Sequence, residues 1–528
     1  MLAFLRRGVF AALIAHFFAR YFDRESISSE WRAESGLAQV LGFLAVPGAF
    51  FTLLFRPFGV TGWNLVTIRY IFVCYSMSVI AFVVVLKWDA LFPDRRDYQI
   101  LTPLPIRLGT VFLAKIAALA GYVSFFLVVV NFFTILFWPG IDGKSDMLRS
   151  AGVHMLVLAA SGLFAGVVAA AMQGVLITCF TGALLRRITT VIQTLLLGLF
   201  VMLVVLIPLM SSALPSLTSR RSALLELVPV YWFIGLYEQL RPATTSRVLL
   251  ETGDRALTGL GVATLVLLVT YLPGYRRHAR KVMDAPQSDP TGPSSVALLW
   301  RDVVQRYFVR HPAERAAFHF VGETIARSMK HRIFLAAYGG LGAAIAVISF
   351  LSGADGLLQL PLTLSFILVS GLRAAFNVPA ELPANWTFQI SGTDAVRHYT
   401  RGTRRWILLC AVAPMFLLWS PVEFLNYRIA PALFHLAWGI ALSAVLIEVM
   451  FFGFRKVPFT CSYLPGKVNL AGLSVLYVFG FTMYSRATAA VESALVSMPK
   501  AAIGCLAALI VIRAALVYAA DRYVDGAG

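Results

Sequence analysis

Charge is scarce in this 528-residue chain: only 13% of its residues are Asp, Glu, Lys or Arg, about half the share of an ordinary soluble domain. That deficit excludes a soluble globular protein of this length. Cysteine is scarce too. Cys74, Cys179, Cys410, Cys461 and Cys505 are odd in number, lie in or beside apolar runs and form no CxxC pair, so neither a disulfide framework nor a zinc site follows. Catalytic signatures are missing as well. GxxxxGK[ST] does not occur, and its nearest string, Leu464-Pro465-Gly466-Lys467-Val468, lacks the loop glycine and the hydroxyl after the lysine. No HExxH, GxSxG or paired histidine and carboxylate set stands out, which argues against an enzyme and against any metal or cofactor held by the chain itself.

Apolar residues make up what is left: 59% of the chain is hydrophobic and the mean hydropathy is +0.78. A hydrocarbon core of about 30 Å needs roughly 20 apolar residues per helix. Runs of that kind predict twelve spans, at residues 37–55, 67–86, 111–137, 154–180, 190–210, 256–273, 333–351, 358–376, 406–420, 431–452, 469–484 and 501–519. Being continuously apolar, they read as helices; barrel strands alternate. The expected fold is therefore an all-helical membrane protein. The formal net charge of +19 does not point to nucleic acid. With both termini in the cytoplasm, most of the 45 lysines and arginines fall on the inner side, which is the positive-inside rule together with attraction to anionic lipid.

The N-terminus carries Arg6 and Arg7 but no small-residue cleavage site, so it reads as retained. Over residues 1–24, Leu2, Leu5, Val9, Leu13, Phe17 and Tyr21 recur at spacings of three and four, the pattern of an interfacial amphipathic helix. A second basic amphipathic stretch, residues 296–332, precedes the seventh span. Between the two sets of six spans, residues 283–295 (MDAPQSDPTGPSS) have linker composition. Two more correspondences join these echoing helices. A Pro-containing polar loop follows the second span of each set (LFPDRRDYQIL and VPAELPANWTFQIS), and FTGALLRRI at 180–188 matches FTCSYLPGKV at 459–468 after each fourth span. Together they predict a duplication: a first half at 1–273, a linker at 274–295 and a second half at 296–528, each an amphipathic helix plus six spans. Within the first half, the aromatic stretch 224–240 reads as a re-entrant or surface-lying piece.

The densest polar run is residues 87–107, KWDALFPDRRDYQILTPLPIR. Charges of both signs beside Phe92, braced by prolines and closing on an apolar ILTPLPI, suit docking into a groove on a soluble partner. A PDRRD run, an aromatic, a Leu-x-x-Leu-Pro-Ile re-entry and Lys115 shortly into the next helix resemble the inner loop of bacterial type-2 ABC exporter permeases. The resemblance implies a fused double permease in the bacterial inner membrane, multi-pass with cytoplasmic termini, whose loops contact separate cytoplasmic ATPase subunits, two copies per chain, with ATP bound by those partners. It implies coupling roles for Phe92, Asp94, Arg95, Arg96 and Asp97, and for Glu381, Asn385 and Trp386 in the second half, where the PDRRD charges are absent.

Two ionisable residues stand plainly inside spans, Glu448 and Lys115. Buried charge is expensive and so marks candidate function. Each is also near enough to a span end to snorkel or to pair with a loop charge such as Arg455. Two other functions remain open. A proton-coupled secondary transporter of the major-facilitator kind also has two six-span halves, but the glycines of its loop signature are absent here. A lipid-acting membrane enzyme would have to use residues 231–233 and Glu448, without a catalytic pair.

Overall fold

The computed structural model describes residues 2–22, 48, 64–91, 100–101, 103–143, 146–180, 182–219, 224–242, 247–284, 295–380, 395–454, 457–460, 480–481 and 483–525. The described residues are helical, with no strand among them, and ten of the helices are long and apolar enough to cross a membrane. This is a multi-pass membrane protein. Those ten helices cover ten of the twelve expected spans. The other two, at 37–55 and 469–484, lie almost entirely outside the described residues.

The chain divides into two compact units, the first built mainly from residues 31–290 with the N-terminal helix, the second from 291–528. The first unit begins with α1 (Leu2–Phe22), followed by the spans α2 (Leu65–Leu86), α3 (Leu108–Asp142), α4 (Met147–Cys179) and α5 (Gly182–Ser219). A 12-residue helix, α6 (Pro229–Leu240), precedes α7 (Arg247–Asp284). The carboxamide of Asn64 caps α2 by accepting the Val66 N–H at 3.2 Å. Apolar around most of its circumference apart from Arg69 and a few hydroxyls, α2 is almost wholly enclosed by its neighbours. Gly143 ends α3 in the left-handed region at φ 68°, where a residue without Cβ is unstrained. α4 is rich in Ala, Gly and Ser, which lets helices approach closely; a Cβ at Gly162 would lie 2.5 Å from Leu127.

In the second unit, α8 (Ser295–Val303) passes through a π turn and is followed by α9 (Pro312–Arg327) and the spans α10 (Met329–Leu351) and α11 (Ala354–Ala375). Next, α12 (Ala395–Trp406) continues through a π segment, Ile407–Val412, into α13 (Ala413–Asn426) as one long span. It is followed by α14 (Ile429–Met450), α15 (Thr488–Val496) and α16 (Pro499–Asp525). The amphipathic stretch at 296–332 is thus not one helix. Pro312 takes the first position of α9 and holds His311 extended, which ends the helix before it. Aromatic and branched side chains from α9, α11, α13 and α14, among them Val321, Phe366, Phe376, Phe416 and Phe451, form the unit's main core.

Candidate functional sites: loop roots and buried charges

The residues expected to couple to a partner, Phe92, Asp94, Arg95, Arg96 and Asp97 in one loop and Glu381, Asn385 and Trp386 in the other, lie outside the described residues. The points where both loops leave the bundle are described. After α2, the chain makes a helical turn at Trp88–Leu91, whose Trp88 and Leu91 side chains are fully buried. Three side chains from three spans hold the backbone of this turn and of the end of α2 before it. Gln193 of α5 donates to the Val85 carbonyl at 2.9 Å, Gln173 of α4 to the Trp88 carbonyl at 2.5 Å, and the Tyr271 hydroxyl of α7 to the Leu91 carbonyl. The loop root is therefore fastened to three other spans as well as to its own helix.

The second root is fastened differently. Phe459 donates its N–H to the Phe376 carbonyl at 3.1 Å and accepts from Ala380 N–H at 3.0 Å, and His331 Nε2 meets the Val378 carbonyl at 2.9 Å. Phe459 has φ 66°, a costly conformation for a residue carrying Cβ. Its ring packs on His331 and Phe376, with centroids 4.5 and 5.1 Å away. Thus the segment FTCSYLPGKV begins on the residue that pins the base of the loop bearing Glu381, Asn385 and Trp386.

The amphipathic helices pack on the helix that follows each loop. In the first unit α1 lies on α3 through Leu13, Phe17 and Tyr21, with Tyr21 against Tyr122 at 5.1 Å. Lys115 is buried here, its Nζ 5.4 Å from the centre of the Phe17 ring. In the second unit α9 lies on α12. Glu314 pairs with Arg405 and with His398, and a Cβ on Gly402 would lie 2.3 Å from the Glu314 carbonyl oxygen. Glu448, in α14, is buried against Arg404 of α12 at 2.8 Å, with Arg513 of α16 3.9 Å away. Lys115 and Glu448 therefore both belong to packed junctions. The suggested partner Arg455 lies outside the described residues.

Two larger clusters carry no signature in the sequence. In the first unit, Arg69, fully buried in α2, donates to Glu238 Oε1 at 2.6 Å and to the Arg241 carbonyl at 2.8 Å, and faces Asp142 at 3.5 Å. Its guanidinium stacks 4.2 Å from the Tyr237 ring centre. Arg241 grips Asp142 at 2.5 Å and Asp146 with two bonds of 2.8 and 2.9 Å, while Ser150 donates to Asp142 at 2.7 Å. The Arg241 bonds hold the Asp146 carboxyl down to about 2, and burial pushes the Tyr237 phenol up. Through this cluster α6, too short to span, is buried among α2, α4 and α7, so the aromatic stretch 224–240 does not lie on the surface of the unit. The second cluster, in the second unit, brings Glu423, His435 and Glu492 together within the buried interior.

No family model, curated protein or solved structure matches this chain.

Proposed function

We propose that this chain is the transmembrane permease of an ATP-driven exporter, a fused double permease of the type-2 ABC kind, with two six-helix halves at 1–273 and 296–528 and twelve helices in all. Its loops at 92–99 and 381–394 face the cytoplasm with both termini, at a bacterial inner membrane. They receive the motion of two separate ATPase subunits, which bind the ATP. The observation that carries this reading is the fastening of the loop roots. A force on either loop reaches several spans at once, through Gln173, Gln193 and Tyr271 in the first unit and through Phe459 and His331 in the second. The equivalent packing of α1 on α3 and of α9 on α12, each beside a loop, supports the duplication.

The test is a mild-detergent pull-down of the tagged chain with mass spectrometry. Recovery of a Walker-motif ATPase near two per chain is expected, and reversing Arg95 and Arg96 to Glu should uncouple ATP hydrolysis from transport while insertion persists. Full transport by the chain alone in vesicles free of ATPase would overturn the reading. The second reading, a proton-coupled secondary transporter, has one observation in its favour, the buried Glu423, His435 and Glu492. Transport that collapses with the proton gradient while ATP is intact would put it first.

A further inference from the structure

Glu423 sits one turn before the end of α13, His435 under two turns into α14, and Glu492 one turn before the end of α15. All three are almost completely buried. His435 Nδ1 is hydrogen-bonded to Glu492 Oε1, and its Nε2 faces Glu423 Oε1 at 3.2 Å without hydrogen-bond alignment. Glu423 Oε1 also accepts from the Trp419 indole. That leaves Glu423 Oε2 and Glu492 Oε2 buried with no partner among the described residues. Trp438, one turn after His435, shares an apolar cluster with Ala489 of α15, and its indole N–H likewise has no partner among the described residues.

The charge does not close. An imidazolium between two carboxylates carries a net −1, sealed from water, and an uncompensated buried charge is strongly unfavourable. Among the described residues, the groups facing the triad are Glu423 and Trp419 from α13, His435 from α14 and Glu492 from α15; of the charged residues on α11 and α16, which also pack on these helices, Arg373 donates to the Met450 carbonyl and Arg513 faces Glu448. The cations at the ends of these helices, Arg428, Arg486 and Lys500, are exposed and form no ion pair with it among the described residues. A divalent metal is a poor fit, because the three side chains do not converge as ligands around one point.

We propose that Glu423, His435 and Glu492 form a binding site for one exchangeable proton within the membrane-spanning region of the second unit. The proton comes from water at the nearby helix ends and sits on one of the two unpartnered carboxylate oxygens. No bond other than O–H forms or breaks, and the triad goes from net −1 to neutral. The site holds a proton whichever energy source drives the chain.

The test is infrared difference spectroscopy of the full chain in lipid nanodiscs, titrated from about pH 5 to about pH 9, the range open to a buried carboxyl. A carboxylic-acid C=O band that shifts in heavy water should appear on acidification, equivalent to one proton per chain. Glu492→Gln and Glu423→Gln, made singly, each leave a balanced imidazolium and carboxylate, so either should lose the band. His435→Gln removes the imidazolium and should carry the band's midpoint to higher pH. A wild-type chain without the band, or one whose band survives in both glutamine variants, would overturn the proposal. So would a sodium-dependent rise in melting temperature in place of the band, which would assign the compensating charge to a metal cation.

Discussion

The Arg69–Arg241 cluster of the first unit and the Glu423–His435–Glu492 triad of the second bury charge in opposite ways. In the first, the sealed groups balance: Arg69 and Arg241 against Asp142 and Glu238, with the excess carboxylate, Asp146, half exposed where water can solvate it. In the second, the excess is sealed in with Glu423, His435 and Glu492. Arginine stays protonated at any pH the protein meets, so the first cluster has one charge state and serves as a fixture. Histidine and two carboxylates have several, separated by modest energies. Similar burial thus yields a clamp in one unit and a titratable site in the other. Which one results depends on whether the cation can lose its proton.

The contrast is broken most sharply at Arg69. Arg69→Met should lower stability by about 3–5 kcal/mol, because it strands Glu238 and part of Asp142 in a dry interior. Adding Glu238→Met should restore much of the loss, read as melting temperature in detergent. A single variant as stable as the parent would show that the cluster is no clamp.

The two amphipathic-helix junctions offer a second comparison. Gly402→Ala pushes a methyl into the Glu314 backbone and should cost about 1–3 kcal/mol. Gly121→Ala in the first unit meets Phe18 only at ordinary contact distance and should stay within about 0.5 kcal/mol. Limited proteolysis between α8 and α9 would report the first effect. Below the Gly402 effect, Lys115→Met should cost about 0.5–1 kcal/mol through loss of its contact with Phe17. Transport lost at full stability would instead give Lys115 a working role.

The smallest expected effect is that of Asp146 and acid. Its carboxyl is held down to about 2 in the folded chain, below the ordinary aspartate value near 4. Its contribution is therefore complete above about pH 4 and disappears as pH falls through about 2. The melting-temperature gap between the wild type and Asp146→Asn should be constant near neutrality and close toward pH 2. A gap that widens on acidification would contradict the pairing with Arg241.

Ten spans were legible because a lipid-crossing helix has to announce itself in composition. The ninth was read too short, at 406–420, because Arg397, Arg401, Arg404 and Arg405 interrupt the apolar run; the helix runs from Val396 to Asn426, with those arginines turned to partners such as Glu314, Glu448 and Asp521. Gln173, Gln193 and Asn131, polar residues inside apolar runs, each bond a neighbouring element. Glu448 was visible but its partner Arg404 was not, since hydropathy registers a charge and says nothing of what faces it. Arg69, Glu423 and His435 escaped notice for a related reason. They stand near span ends, where a polar residue is unremarkable until a second element is seen closing over it. Phe459 had no signal beyond the repeated Phe-Thr, because backbone conformation at a single position leaves no periodicity.

The bond from Arg69 to Glu238 spans 169 residues of sequence, and that interval is also a span of time. While the ribosome is still making the chain, α2 has left the insertion machinery with a bare guanidinium and no carboxylate to meet it. Until α6 is made, the first unit is an unfinished assembly. A nascent chain halted before Asp142 leaves that guanidinium with neither carboxylate, one halted between Asp142 and Glu238 leaves it with Asp142 alone, and only once Arg241 has been made are two buried arginines matched by two buried carboxylates.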